Sequence, residues 1–319
     1  IARHRDPQSD ALTVADIYEG CRRQSSRRLV AFAKRIEPRT NLTFDALVLP
    51  AANKRQLEEL RTRISCQNRL LADTGFERRL SLGRGLIALF TGSSGTGKTM
   101  AAELLAHDQG VDLYKVDLSA VISKYVGETE KNLSRVFDEA EDCNAMLFFD
   151  EADAIFGKRG KVEEARDRWA NIEVNHLLQR VEEYSGVVIL ASNLRQNIDE
   201  AFLRRIHVIV EFPLPEAQAR FQIWRGMFPA EVLRPDDEEL GALAGMFRLP
   251  GGSIRNIVID GAARALSEAK GHTPKVTLRH LVLATAREYQ KLGKPITKSE
   301  FGAPFFDWVR EEILMNAKE

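Results

Sequence analysis

The chain has 319 residues, enough for two packed domains or for one large domain with appendages. Its 44% hydrophobic and 29% charged residues are ordinary for a soluble globular protein, and Lys plus Arg balance Asp plus Glu at 46 each, so no global field favours nucleic acid or anionic lipid. Cys21, Cys66 and Cys143 are far apart and odd in number, which excludes a disulfide framework and a metal-ligand spacing and points to a reducing, cytoplasmic setting.

Residues 1–39 carry nine Lys/Arg, among them Arg22, Arg23, Arg27 and Arg28, against five acidic residues. A basic solvated helix and a dedicated anionic partner both suit that excess. Ala11 to Glu37 is predicted helical on Leu12, Ile17, Leu29, Phe32 and Ile36, and Pro38 ends it. Thr43 to Pro50 reads as a short apolar linker, and Leu57 to Gly75 as a charged amphipathic helix closed by its glycine. From Gly85 strands and helices alternate, the pattern of a parallel α/β sheet. Strands are expected at Gly85–Phe90, Val111–Leu118, Ala145–Phe149, Val187–Asn193 and His207–Phe212, with helices at Met100–Ala106, about Glu128–Ala140, and Trp169–Glu183. Beyond Pro213 and Pro215 the β signal stops. Ala217–Met227, Glu238–Met246, Ser253–Ala269 and Leu278–Tyr289 read as four helices of a small all-α domain, with Pro250-Gly251-Gly252 before the third. Phe301, Phe305, Phe306 and Trp308 in the tail are expected to dock on the parent domain, a partner-binding tail being the alternative. No apolar run approaches a membrane span and no signal peptide is visible; the chain opens on Ile1 rather than Met, as a trimmed piece with an upstream domain would.

The chemistry centres on Gly92-Ser93-Ser94-Gly95-Thr96-Gly97-Lys98-Thr99, a complete G-x-x-x-x-G-K-[ST] pattern between an apolar strand and a run of helix formers beginning at Met100. The glycines let successive N–H groups turn inward around an anion, and the helix N-terminus adds its positive dipole end. Lys98 is placed to reach the β- and γ-phosphates of ATP or the β-phosphate of ADP, and the Thr99 hydroxyl to ligate Mg²⁺. Asp150 and Glu151 end the apolar strand at 145–149, so both carboxylates emerge at the C-terminal edge of the sheet, where ligands of open α/β sheets bind. The first can hold the Mg²⁺ shell and the second can polarise a water for in-line attack; a capping pair for a following helix is the plainer alternative. Asn193 at a strand end could orient that water, though such an Asn is also an ordinary turn residue. Arg204 and Arg205 could supply a cation to phosphoryl transfer in a neighbouring molecule, or satisfy carbonyls at a helix end.

With these parts in this order, the chain resembles an AAA+ ATPase from Leu47 to about Leu292. Gly92–Thr99 is similar to Walker A, Met146–Glu151 to Walker B with its catalytic Glu, Asn193 to sensor 1, Arg204 and Arg205 to the arginine-finger pair, and Gly252-Ser253-Ile254-Arg255 to the sensor 2 position of the lid. The resemblance implies an α/β P-loop core with a parallel five-stranded sheet of order 5-1-4-3-2, a small all-α lid, and nucleotide sites between subunits of a homo-oligomeric ring, usually of six. The corresponding division is a basic helical extension over 1–43, the α/β nucleotide-binding domain over 44–213, the lid over 214–292 and an aromatic tail over 293–319. Nucleotide contacts then fall on Gly92, Ser93, Ser94, Gly95, Thr96, Gly97, Lys98, Thr99, Met100, Asp150 and Arg255, and the metal on Thr99 and Asp150.

Within that family Lys124-Tyr125-Val126-Gly127 resembles the aromatic–aliphatic–Gly pore loop of protein-threading members, where an aromatic grips an extended peptide through apolar area; a Tyr packed beside the second strand is the alternative. Lys158, Arg159 and Lys161 lie where a second pore loop would be, on basic charge alone. Arg255 departs from spastin, katanin and related members, which usually lack an Arg at sensor 2, and sets this chain beside that group. Ser119–Ser134, Asp150–Arg159, Ala170–Tyr184 and Asn193–Pro213 resemble most the ATPase encoded with extracellular contractile injection systems, which implies a bacterial cytoplasmic protein with a protein client or an injection-system component as partner. The expectation is a Mg²⁺-ATP-dependent motor that remodels or threads protein. A nucleotide-gated scaffold without threading and a nucleic-acid-remodelling ATPase are its rivals, the latter encouraged by the basic N-terminal stretch and disfavoured by the overall charge balance.

Overall fold

The computed structural model describes residues 32–36, 43–74, 85–117, 121, 128–152, 175–193, 200–269 and 274–316. They fall into two compact units. The first takes β1 (Ala33–Ile36) and the described residues of Ala51–Gly92 and Lys98–Glu211. The second takes Thr43–Pro50, the loop tip Ser93–Gly97, and the chain from Phe212 onward.

The first unit is built on six strands: β1, β2 (Leu86–Thr91), β3 (Leu113–Val116), β4 (Met146–Phe149), β5 (Val187–Ser192) and β6 (Val208–Glu211). Every residue of β2 and β4 is buried, as expected of parallel strands covered on both faces. The order across the sheet is β1-β3-β4-β5-β2-β6, with β1 antiparallel to β3 and all other pairs parallel. The sheet is therefore six-stranded and mixed, and its count and order differ from the five-stranded parallel sheet expected. With β1 set aside the others lie β6-β2-β5-β4-β3.

The difference comes from residues 33–36, expected within a helix and here an edge strand. Pairing wins over local period at this point because β3 offers an open ladder. Phe32 C=O accepts the Asp117 N–H at 3.1 Å, and Arg35 donates to Asp112 at 2.9 Å. Helix propensity over four residues is too weak a preference to resist that. The rest of the predicted N-terminal helix lies outside the described residues.

Helices α1 (Ala51–Thr74), α2 (Lys98–Asp108), α3 (Glu128–Asp142) and α4 (175–183) belong to this unit. α1 begins directly after Pro50, earlier than Leu57, and its Asn53 side chain donates to Glu211 C=O at 2.9 Å. In α3 the buried residues Thr129, Leu133, Val136, Phe137 and Ala140 recur at helical spacing and face the sheet. Phe137 stacks on Phe149 of β4 with ring centroids 6.0 Å apart and meets Tyr184 edge-on at 5.7 Å. The buried Tyr184 hydroxyl donates to Ala145 C=O at 2.5 Å, and burial pushes its pKa up. These contacts set the ends of β4, and through them the position of Asp150.

The second unit is helical: α5 (Ala217–Gly226), α6 (Asp237–Met246), α7 (Gly251–Glu268), α8 (Leu278–Lys291) and α9 (Lys298–Asn316). Capping boxes open α6 (Asp236 with Glu239) and α8 (Thr277 with His280). The buried Arg220 guanidinium on α5 donates to Ala244 C=O at 2.8 Å and Pro215 C=O at 2.7 Å. The tail forms a fifth helix in addition to the four expected, kinked at Gly302, where φ is 71°. Its Phe301 packs between Phe247 and Tyr289 at 4.9 and 5.3 Å, so the tail's aromatics do dock on this core.

Candidate functional site

In the sheet unit, β2 ends at Thr91 level with Ser192 of β5, and β4 ends at Phe149 level with Leu190. Lys98, Asp150–Glu151 and Asn193 therefore issue from one edge. Parallel strands sum their carboxyl ends there, and an anion or metal can approach without cutting a ladder.

Lys98 opens α2 and is buried, 7% exposed. Its ammonium donates to Gly92 C=O at 2.5 Å and to Asn193 Oδ1 at 2.9 Å. A buried ammonium is tolerated only with such acceptors. Asn193, exposed just past β5, is thus joined to the loop lysine, and Gly92 N–H donates to Ser192 C=O at 3.1 Å. Thr99 and Met100 follow in the first turn of α2, both half-buried.

Asp150 leaves β4 with one oxygen, Oδ1, accepting the Glu151 N–H at 3.1 Å and the other, Oδ2, 2.5 Å from Lys115 Nζ. Glu151 is exposed, with φ of 53°, a left-handed conformation uncommon for a non-glycine residue. Ala152 N–H donates to Ala191 C=O at 2.8 Å, which holds the Asp150–Glu151 turn against β5.

Arg204 and Arg205 follow a short α-helix of four residues, Glu200–Leu203. Arg204 is exposed, whereas Arg205 is half-buried in an ion pair with Glu182 of α4.

In the helical unit the loop tip shows why its glycines are needed. Gly95 has φ of 77° and Gly97 of 106°, and Thr96 Oγ1 donates to Ser93 C=O at 2.8 Å; Ser93 and Ser94 are exposed. Gly252 N–H donates to Gly95 C=O at 2.8 Å, and a Cβ at Gly252 would come within 3.0 Å of Gly95 Cα. Arg255 is exposed on the first turns of α7. Lys124, Tyr125, Val126 and the basic residues 158, 159 and 161 lie outside the described residues.

Hard oxygen donors from Thr99 and Asp150 suit Mg²⁺, which needs few protein ligands when phosphates supply the rest. Among the described residues no group of three or more His, Cys, Asp or Glu is arranged to hold a metal alone. Asp150 already accepts a cation, the Lys115 ammonium, so its carboxylate is presented to positive charge. The residues present fit a Mg²⁺–nucleotide.

Residues 88–214 match the ATPase family associated with various cellular activities (AAA). This stretch is similar to AAA-family domains. The uncharacterized AAA family ATPase y4kL of Sinorhizobium fredii is 35% identical over 188 residues, covering 58% of this chain and 54% of that protein. The katanin p60 ATPase-containing subunit A1 of Strongylocentrotus purpuratus is 32% identical over 228 residues, 67% of this chain and 42% of that protein. Fidgetin-like protein 1 of Xenopus laevis is 34% identical over 162 residues, 49% of this chain and 24% of that protein. The chain spans about half or less of the length of these relatives. The AAA match and the ATPase names of two of these relatives both support ATP hydrolysis.

Three features of the matched stretch and its loop tip were not foreseen: Lys115 on Asp150, Glu182 on Arg205, and Gly252 against Gly95. Each joins residues far apart in sequence. Only Lys115 left a local signal, a lysine inside an otherwise apolar strand.

Among the described residues no helix is long and apolar enough to cross a membrane.

Proposed function

We propose that this chain is a Mg²⁺-dependent ATP hydrolase that works as a ring-forming motor on protein. The observation that carries the reading is Lys98, buried and bonded to both Gly92 and Asn193, at the same sheet edge as the Asp150–Glu151 pair. Bound Mg²⁺ would supply charge neutralisation at the phosphates. Lys98 binds the phosphates, Thr99 and Asp150 hold the metal, and Glu151 orients and deprotonates the attacking water. Asn193, tied to Lys98, reports the γ-phosphate, and Arg255 serves the lid. Arg204, exposed while Arg205 is engaged by Glu182, is the better placed of the pair to act on a neighbouring subunit's nucleotide. A hexamer of the kind the resemblance implies would complete each site in this way.

The deciding experiment measures specific ATPase activity against protein concentration, with Mg²⁺, for wild type and Arg204→Ala. Activity per molecule that rises steeply with concentration and is lost in the variant supports sites completed between subunits. A flat dependence indifferent to Arg204 overturns the ring motor.

Threading through Tyr125 and service to a contractile injection system are the finer parts of this proposal. They are supported by the wording of the sequence around 119–134, 150–159, 170–184 and 193–213.

A further inference from the structure

β3 brings to the nucleotide edge a charge that none of the roles above uses. Leu113, Tyr114 and Val116 are buried, and Lys115 alone is not. Register sets Lys115 level with Phe148 of β4, and Asp150 follows two residues on. The Lys115 ammonium lies 2.5 Å from Asp150 Oδ2, while Oδ1 accepts the Glu151 N–H at 3.1 Å. Both carboxylate oxygens thus have a donor from the protein. On its other side Lys115 faces Lys34 of β1, its direct cross-strand partner. Like charges at facing positions repel, which favours the turn of Lys115 towards Asp150.

We propose that Lys115 sets the divalent-cation affinity of the nucleotide site by competing with Mg²⁺ for the Asp150 carboxylate, an inference that rests on the reading of Asp150 as the metal-supporting residue. An ammonium and a divalent cation seek the same oxygen lone pairs, and they repel each other. For the metal shell to use Oδ2 the ammonium must withdraw, and a side chain 41% exposed has solvent to withdraw into. Separating the pair weakens apparent Mg²⁺ binding until nucleotide phosphates supply enough further oxygens to outweigh it. Lys115 is in this sense a positioning residue: it holds Asp150 in place and makes metal loading conditional on nucleotide.

The test is a Mg²⁺ titration of the binding of a fluorescent ATP analogue, which reads metal affinity without turnover. Wild type, Lys115→Met, Lys115→Arg, Asp150→Asn and the Lys115→Met/Asp150→Asn pair are compared. Lys115→Met should lower the Mg²⁺ half-saturation by about tenfold, the scale of no longer having to break one short-range opposite-charge contact under water-like screening. Lys115→Arg, which keeps the charge, should stay near wild type, and the double variant should match Asp150→Asn. If Asp150→Asn raises the half-saturation while Lys115→Met leaves it unchanged or raises it, the competition is overturned and the metal assignment survives. If Asp150→Asn leaves the Mg²⁺ dependence at the wild-type value, the metal assignment falls and this inference with it. Melting curves without nucleotide check that each variant is folded, and Lys115→Gln repeats the titration if the Met variant is not.

Discussion

Glu151 combines an exposed carboxylate with a left-handed backbone, φ of 53°. The Asp150 side chain makes that conformation tolerable by accepting the Glu151 N–H, so the two acids act as one turn. In the proposed mechanism Glu151 meets only the attacking water, and its removal should spare nucleotide binding. Glu151→Gln should therefore bind ATP with near wild-type affinity and hydrolyse it about 10²–10⁴-fold more slowly, measured by equilibrium binding and single-turnover hydrolysis side by side. Turnover within a factor of a few of wild type would remove Glu151 from that role. Cys143 offers no rival chemistry, because burial pushes its thiol up to about 11 and leaves it protonated at neutral pH.

At the level of elements, the β2–β6 pairing is extended by a side chain. Ile87 C=O accepts the His207 N–H at 2.9 Å, and Ile87 N–H donates to His207 Nδ1 at 3.0 Å. The ring must be neutral to accept that bond; although the residue as a whole is exposed, desolvation of the ring and then the charge of Arg63 on α1 hold its pKa below the ordinary 6.5, against an opposing pull from the Ile87 backbone. A depressed folded-state pKa means that the unfolded chain takes up the proton first. The stabilising contribution is full above the unfolded value and is lost as the pH falls through it and towards the folded one. The urea midpoint of the sheet unit should thus be lower at about pH 5.5 than at about pH 7.5, and His207→Asn, which keeps an acceptor but does not titrate, should flatten the difference. Identical pH profiles for the two proteins would show that the imidazole is not the source. Because Arg204 and Arg205 lie three and two residues before this histidine, the same bonds anchor the segment that carries the proposed finger.

For the molecule as a whole, each unit has its own hydrophobic core. One surrounds the sheet, with Phe137, Phe149 and Tyr184 among its rings; the other joins Trp224, Phe247, Tyr289, Phe301 and Phe305. The tail belongs to the second core, since Phe301 is fully buried against Phe247 and Tyr289. Phe301→Ala should destabilise the helical unit by about 3–5 kcal/mol, the usual cost of emptying a buried aromatic site. Calorimetry should show the transition of that unit falling while that of the sheet unit, stabilised by Mg²⁺–nucleotide, stays near its wild-type position. An unchanged profile would mean that the tail adds nothing to the core.

The sequence by itself determined whatever depends on near neighbours. The phosphate loop was legible because glycine spacing, the flanking apolar strand and the following helix formers are all local. The buried strands β2, β4 and β5 were legible because parallel strands covered on both faces must be continuously apolar. Asp150, Glu151 and Asn193 were legible because they stand at the ends of those runs. Tertiary structure decided the rest. Residues 33–36 became a strand because β3 left an edge open, which no local pattern of Ala-Lys-Arg-Ile announces. Lys115 meets Asp150 through the register of β3 on β4, Arg205 meets Glu182 on α4, and Gly252 meets Gly95 through its close backbone approach. Pairing register and helix docking are set by the combined burial of many distant side chains, so the partners of these residues exist only once the chain has folded.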